Sequence, residues 1–386
     1  MVFFNGVFMK NVVVIFGGKS CEREISVITG VLTLNSVDKE KYNPIPVYVN
    51  GSGEWLTGEE LFDISFFKNG DYKRLKRVTL VTGENSLYLK GKRLKKLCDV
   101  YAVINCMHGL NGEDGSLAGL TQLSSIALVG SPLFASSFSM DKEYQKFVLK
   151  GLNVPVLPFI TVKKQDFFKG AEECIEQIEK KLSYPLIIKP ANLGSSIGIS
   201  TAFSKEELLG SLKKAFLYDG KVIIENYLED FIEYNLAVCE TLDGVILSEV
   251  EKPCKSDKIL SFKDKYESSQ DLIDREFPAK ISKSLDKKIK AIGEKVYNIC
   301  GFSGIIRIDY IYYKDKIYLN EINSVPGSLS YYLLTKNLKD FTALLSSLIE
   351  KSVQNLNQSK SRVFSYSSRV LSVSGAKGNK RLTRKN

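Results

Sequence analysis

The sequence predicts an α/β protein of two or three domains. Three observations carry this. Short apolar runs at residues 11–16, 42–49, 99–105 and 185–190 alternate with segments of helical period. The run from Gly304 to Asn323 reads as an antiparallel hairpin. With 386 residues, 44% of them apolar and 25% charged, the chain has ample core and the composition of an ordinary soluble protein.

Residues 11–16 form a short buried strand, Gly17-Gly18 turns the chain, and Ser20 is placed to cap a helix over 22–34. Strand, glycine turn and helix start suit an anionic group, because free N–H groups point outward there. Residues 42–49 give a second strand. Residues 50–97 are irregular and charged, with two short hairpin strands around 78–89. Another strand covers 99–105, and His108-Gly-Leu-Asn-Gly-Glu-Asp-Gly115 follows at its carboxyl end, where open α/β sheets bind ligands. His108 is the only histidine in the sequence. A loop so rich in glycine and acid favours function over an incidental surface turn.

Met140-Asp-Lys142 opens a helix through Lys150, followed by a strand at 156–161, a helix at 171–182 and a strand at 185–190. Lys189 ends that strand and Gly194-Ser195-Ser196-Ile-Gly198 follows. A lysine before a Gly/Ser loop suits a nucleoside triphosphate: the ammonium meets phosphate charge and loop amides cradle the oxygens. No GKS or GKT occurs in it, so this is not the Walker pattern. A helix over 206–216 and a strand at 222–225 come next. Residues 251–282 are polar and charged with little regular pattern, the length of a lid; by itself the stretch reads more readily as a solvated excursion. Leu285, Ile289, Ile292, Val296 and Ile299 line one helix face, and Gly301 stops that helix.

In the hairpin, Arg307 and Asp309 share one strand face, as do Glu321 and Asn323. With the turn at Lys314-Asp315-Lys316 centred on Asp315, Asp309 lies opposite Glu321 and Arg307 opposite Asn323. Opposed residues have Cβ atoms about 5 Å apart, so the two carboxylates need a cation between them. Asp, Glu and Asn offer oxygen ligands, which suit Mg²⁺ or Mn²⁺. A surface hairpin neutralised by Arg307 is the competing reading.

A final helix is marked by Phe341, Leu344, Leu345, Leu348, Ile349 and Val353. Residues 357–386 carry eight Lys or Arg and no acid, so of the net charge of +10 only +2 belongs to residues 1–356. That tail is expected to be disordered, and the near-neutral body gives no reason to expect nucleic acid as a partner. The seven cysteines, at 21, 98, 106, 174, 239, 254 and 300, form no CxxC pair, and zinc is not expected. They read as free thiols in a reducing cytoplasm. Residues 1–10 are apolar but too short for a signal peptide, and read as a leader ahead of Met9 or a frayed extension. No run reaches the length of a membrane span, so no membrane insertion is expected.

Taken together, Gly17-Gly18…Ser20-Cys-Glu22-Arg-Glu24, His108-Gly-x-x-Gly-Glu-Asp-Gly115, Ser139-Met-Asp-Lys142, Ile188-Lys189-Pro…Gly194-Ser-Ser-x-Gly198, Ile224-Glu225, Lys265-Tyr266, Arg307-Ile-Asp309 and Glu321-x-Asn323-x-x-Pro326-Gly327 occur in an order that resembles the D-alanine–D-alanine ligases of the ATP-grasp superfamily. The resemblance spans residues 11–355. It implies a three-domain ATP-grasp fold: an N-terminal Rossmann-like α/β domain over 11–139, a central domain over 140–224, and a C-terminal domain over 225–356 with the lid at 251–282. It implies ATP-dependent joining of two D-alanines through an acyl phosphate, for peptidoglycan precursor synthesis, in a cytoplasmic homodimer.

By matching motifs, Lys142, Lys189, Ser195, Lys265, Glu225, Glu233 and the backbone at Asn226 and Leu228 would hold ATP. Asp309, Glu321 and Asn323 would hold two Mg²⁺ or Mn²⁺. Glu22 and His108 would meet the first D-alanine, and Glu22, Ser195 and Tyr266 would link to close the lid. Arg307 and the Gly327 amide would stabilise the tetrahedral oxyanion. Two departures are visible. Phe262 stands where many members carry a tyrosine, and either Ser330 or Tyr332 takes the place of the serine that meets the second substrate's carboxylate. The alternatives are a D-alanine–D-serine ligase, another ATP-grasp carboxylate–amine ligase, or an inactive ATP-binding regulator. A D-lactate type is disfavoured because residues 251–282 contain no histidine.

Overall fold

The apolar run Val12–Phe16 is wholly buried at the centre of a strand, Lys10–Gly17, of the computed structural model, which describes residues 3–4, 7–253, 275–363 and 365–368. Around it lies a sheet of eight strands, ordered Ala127–Val129, Ala102–Asn105, Lys10–Gly17, Tyr42–Val49, Trp55–Thr57, Lys76–Leu80, Ser86–Lys90 and Leu94–Asp99. The first four are parallel and the rest antiparallel. A parallel pair needs a crossover, and the helix Arg23–Ser36 supplies it between the strands Lys10–Gly17 and Tyr42–Val49. A short ladder pairs Phe3–Phe4 with Val7–Phe8 ahead of this sheet.

Two further sheets follow, each of four antiparallel strands. The middle sheet is ordered Phe159–Lys163, Lys221–Asn226, Leu186–Pro190, Ser200–Ala202. The C-terminal sheet is ordered Gly244–Leu247, Ile232–Thr241, Ile305–Tyr313, Lys316–Asn323. The helices Ala171–Glu179 and Lys205–Ala215 bury Ile175, Ile178, Leu208 and Leu212 with the middle sheet, in a core drawn wholly from that part of the chain. The other cores are shared. Helix Leu338–Lys360 brings Phe341, Leu345 and Ile349 into one core with Ala102, Ala127 and Val129 of the first sheet and Cys239 of the third. Helix Lys142–Gly151 gives Leu149 to the core of the C-terminal sheet.

Several elements differ from expectation. The first helix is preceded by Glu22 at the cap position, not Ser20; the Ser20 hydroxyl instead accepts from the Glu22 N–H. Residues 50–97 hold two strands beyond the hairpin pair, at Trp55–Thr57 and Leu94–Asp99. The second is mostly exposed, so its Leu-Lys-Lys-Leu-Cys-Asp carries no core signal; lysines there suit an edge strand. The strand expected from 156 begins only at Phe159, since Pro155 and Pro158 cannot donate to a ladder. The last helix runs on to Lys360, four residues into the stretch expected to lack structure, with Val353 and Leu356 still packed on the core. The strand Lys221–Asn226 crosses the boundary expected between 224 and 225. Of the stretch 251–282 expected as a lid, residues 254–274 lie outside the described residues, Lys265, Tyr266 and Phe262 among them, and Lys252–Pro253 pairs with Arg275–Glu276.

The hairpin places Asp309 opposite Glu321 and Arg307 opposite Asn323. The turn is nonetheless not centred on Asp315. Tyr313 pairs with Lys316 across the two residues Lys314 and Asp315, both in the left-handed region at φ 47° and 58°. That register would put Asp309 opposite Asn320. A bulge between Asp309 and Tyr310 absorbs one residue and moves Asp309 onto Glu321.

Candidate active site

The site lies where the three sheets meet, and it starts from a glycine turn. At Gly17, φ is +91°, and a Cβ would come within 2.3 Å of the Val49 carbonyl. The Gly17 N–H donates to Ser26 Oγ (2.7 Å), and that hydroxyl donates to the Cys106 carbonyl (2.6 Å). These bonds tie the first helix start to the loop carrying His108, and leave Glu22 buried between them.

Glu22 is enclosed by two glycines of other segments. A Cβ at Gly109 would stand 2.9 Å from its Oε2, and one at Gly194 would stand 2.9 Å from its Oε1. Ser195, held at φ 53°, donates its hydroxyl to Glu22 Oε1. The Gly/Ser loop of the middle sheet therefore touches the N-terminal domain through the Glu22–Ser195 pair expected from sequence. His108 is buried, and its Nε2 lies 3.0 Å from Thr29 Oγ1 of the first helix. Burial, with the Arg307 charge, lowers its pKa to about 3, so the ring is neutral in ordinary solution.

Lys142 bridges two sheets. Its Nζ donates to the Leu193 carbonyl (2.8 Å) and lies 3.0 Å from Glu321 Oε1. Burial opposes the ammonium charge, yet Glu321 outweighs it and the pKa is raised. Lys189 contacts Glu225 Oε2 at 2.6 Å, and Lys146 contacts Glu225 Oε1 at 2.6 Å. Both Lys146 and Glu225 are buried. Burial penalises this carboxylate, but the two ammonium groups prevail and hold it at about 2. Asn226 donates its side chain to the Ser183 carbonyl (2.7 Å), and Leu228 is half-buried in the segment leading from the middle sheet to Glu233.

On the hairpin, Arg307 grips Asp309 with two bonds, Nε to Oδ1 at 2.7 Å and Nη2 to Oδ2 at 2.9 Å. Asn323 Nδ2 donates to the same Oδ2 at 3.1 Å. Each opposed carboxylate thus already faces a cation, Asp309 facing Arg307 and Glu321 facing Lys142. The donor set of two carboxylates and one carboxamide fits a hard divalent ion. Among the described residues, no cluster of three His, Cys, Asp or Glu gathers as metal ligands. After the hairpin, Gly327–Ser330 forms a tight segment with Ser328, Leu329 and Ser330 near φ +50°. Ser330 is fully buried and its hydroxyl has no hydrogen-bond partner among the described residues. Tyr332 instead lies under Arg275, whose guanidinium carbon is 4.9 Å from the ring centre.

Sequence reasoning passed over three residues. Lys146 lies four residues after Lys142, on the same helix face, a spacing that could have flagged it. Glu113 was part of the His108 motif but given no role; it accepts from the Gly109 N–H (2.8 Å) and the Val325 N–H (3.1 Å), joining that loop to the hairpin's exit. Burial and the nearby Glu22 raise its carboxyl pKa to about 8. Thr29 carried no sequence signal at all.

Comparison with known proteins agrees along the length of the chain. The family model described as "D-ala D-ala ligase N-terminus" matches residues 11–131, and "D-ala D-ala ligase C-terminus" matches residues 148–354. A D-alanine–D-alanine ligase of Thermosipho melanesiensis is 36% identical over 357 residues, covering 91% of this chain and 96% of the relative. One from Clostridium acetobutylicum is 34% identical, covering 90% and 99%. Among solved structures, the D-alanine–D-alanine ligase of Helicobacter pylori superposes with a TM-score of 0.73 at 29% identity, covering 89% and 98%. The VanG D-Ala:D-Ser ligase of Enterococcus faecalis gives 0.72 at 27%, covering 90% and 100%.

Proposed function

This chain belongs to the D-alanine–D-alanine ligase family, has its ATP-grasp fold and joins two D-alanines at the expense of ATP, and from that premise we propose how its residues divide the work. The dipeptide it makes ends the peptidoglycan precursor. The observation that carries the assignment is Lys142, whose single ammonium touches both the Gly/Ser loop at Leu193 and the acidic hairpin at Glu321. In this reading the nucleotide phosphates and the metal ligands would meet at that ammonium.

ATP lies between the middle and C-terminal sheets. Lys189 and Lys142 face its phosphates, with the loop amides around Ser195 and with Lys265 from the lid. Glu225, the backbone at Asn226 and Leu228, and Glu233 hold adenine and ribose. Asp309, Glu321 and Asn323 would hold two Mg²⁺ or Mn²⁺, which when bound would neutralise phosphate oxygens that otherwise repel an incoming carboxylate. Glu22 binds the ammonium of the first D-alanine, and neutral His108 lies beside that substrate without adding charge.

The first D-alanine's carboxylate attacks the γ-phosphate, giving an acyl phosphate and ADP. The amine of the second D-alanine then attacks the acyl carbon. Arg307 and the Gly327 N–H are preorganised donors for the resulting oxyanion. Phosphate departs and the peptide bond remains. Ser330 or Tyr332 receives the second carboxylate; the buried, unpartnered Ser330 hydroxyl favours the serine. Glu22, Ser195 and Tyr266 close the lid so that water does not reach the acyl phosphate.

We further propose the domain division at about 139, 224 and 356, a homodimer, and a cytoplasmic setting. Among the described residues no helix is long and apolar enough to cross a membrane.

The test is ATP-dependent phosphate release with D-alanine alone, then with D-serine or D-lactate added, and products identified by mass. D-alanyl-D-alanine as the main product is expected. A mixed dipeptide as the main product would move the chain to the D-serine type, and absence of release with any D-amino acid would reduce it to a generic ATP-grasp enzyme. Arg307→Ala is expected to lower ligation about 10²- to 10³-fold with an unchanged circular dichroism spectrum; near-normal turnover would remove Arg307 from the oxyanion role.

A further inference from the structure

Thr29 sits wholly buried in the first helix and makes two contacts that no sequence pattern foretold. Its Oγ1 accepts from the Ser328 N–H at 2.9 Å, and it lies 3.0 Å from His108 Nε2. A helical threonine often turns its hydroxyl proton back to the carbonyl four residues earlier, as Thr33 does toward the Thr29 carbonyl at 2.8 Å. Thr29 Oγ1 instead lies against the imidazole.

The proton count then decides the tautomer. A hydroxyl has one proton and can accept up to two more. If His108 carried its proton on Nε2, Thr29 Oγ1 would accept twice and its own buried proton would have no acceptor among the described residues, which buried groups avoid. If Nε2 is bare, Ser328 donates to Thr29 and Thr29 donates to His108, so the enclosed hydroxyl proton has an acceptor, and the ring's own proton moves to Nδ1, which is not one of the fully enclosed atoms left without a partner. Burial and the Arg307 charge keep the ring neutral, so the question is one of tautomer and not of charge.

We infer that Thr29 is a positioning residue that fixes His108 as the Nδ1–H tautomer and at the same time anchors the turn carrying Gly327 and Ser328 to the first helix. The imidazole's one N–H is thereby left on Nδ1, a donor suited to a substrate carboxylate. This last step rests on the proposed place of His108 beside the first D-alanine. The inference joins the ring that meets the first substrate to the backbone that receives the oxyanion, through one hydroxyl.

His108 is the only histidine in the sequence, so full-length protein labelled with ¹⁵N-histidine gives the imidazole signals of this residue alone. The wild-type protein is expected to show a protonated Nδ1 and a bare Nε2. Thr29→Val, which keeps the shape and loses the hydroxyl, is expected to convert the ring wholly or partly to the Nε2–H form and to lower kcat about tenfold to a hundredfold with little change in KM for ATP. Thr29→Ser is expected to restore both. An Nε2–H ring in the wild-type protein overturns the inference without any variant, as does an unchanged imidazole spectrum in Thr29→Val. If the spectrum moves as expected while ligation stays normal, the Thr29–His108 link stands and the substrate role of His108 falls.

Discussion

Glu225 sits between two ammonium groups, and its chemistry follows from that count. One buried carboxylate facing one buried ammonium is balanced; here two amines, Lys146 and Lys189, share it, and burial with the neighbouring lysines lowers the pKa of Lys146. Lys146→Met should keep Glu225 ionised through Lys189 but draw Lys189 away from phosphate. We expect a rise in KM for ATP and a loss of stability below the ~3–5 kcal/mol of a fully stranded buried charge. Urea unfolding and ATP titration of the single mutant check this. The Glu225 carboxyl lies at about 2 against an ordinary 4.5, so its contribution is complete above pH 4.5 and is lost as pH falls toward 2. His108, at about 3 against 6.5, charges more readily unfolded than folded, so stability also falls as pH drops from 6.5 toward 3. His108→Gln should flatten the upper part of that decline; a urea midpoint that still falls equally between pH 6.5 and 4.5 would contradict it. At this scale the residues that bear charge in motifs, such as Glu22, Lys189 and Arg307, were legible in sequence. Thr29 was not, because its partners come from distant segments, and Lys146 was marked only by its spacing from Lys142, its partner Glu225 lying far along the chain.

The hairpin is the element on which the site depends, and its legibility is instructive. The register at Asp309 and Glu321 was expected from a turn centred on Asp315, yet the turn spans two residues and the pairing is restored by a bulge. A left-handed Lys-Asp turn lacks the Asn-Gly signature, and a bulge has no compositional mark here, so two unread features offset each other. The start of the same hairpin strand offers a cleaner test. Gly301 and Gly304 have nearly equal φ, +69° and +68°, but a Cβ at Gly301 meets nothing within 4 Å while one at Gly304 meets Gly130 Cα at 2.8 Å. Alanine at either position incurs about 1 kcal/mol of left-handed strain. Gly304→Ala should therefore lose more stability than Gly301→Ala, by the typical 1–3 kcal/mol of overpacking. Equal denaturant midpoints for the two would show that the Gly130 contact yields at no cost.

Across the molecule the cores are unequally shared. The first and third sheets have a common core closed by the last helix, and Glu350 of that helix meets Lys10 (2.9 Å), Tyr42 (2.8 Å) and Tyr101 (2.7 Å) of the first. The middle sheet keeps a core of its own. Length pointed to two or three domains and could not point to this partition of cores, which depends on contacts between segments hundreds of residues apart. Closure on ATP should therefore move the middle sheet against a rigid remainder. Hydrogen exchange is expected to slow at residues 186–202 and 226–233 when ATP and D-alanine are added, and to stay unchanged at 341–349. Slowing at 341–349 of equal size would mean that the outer sheets move too.

The separate core has a practical corollary for dissecting the protein. A fragment severed after Ser139 would lose the last helix from the core it shares with Ala102, Ala127 and Val129, and is expected to aggregate through that face. The portion that limited proteolysis can lift out whole is the one between, around residues 159–226, because nothing outside it is needed to fill its interior.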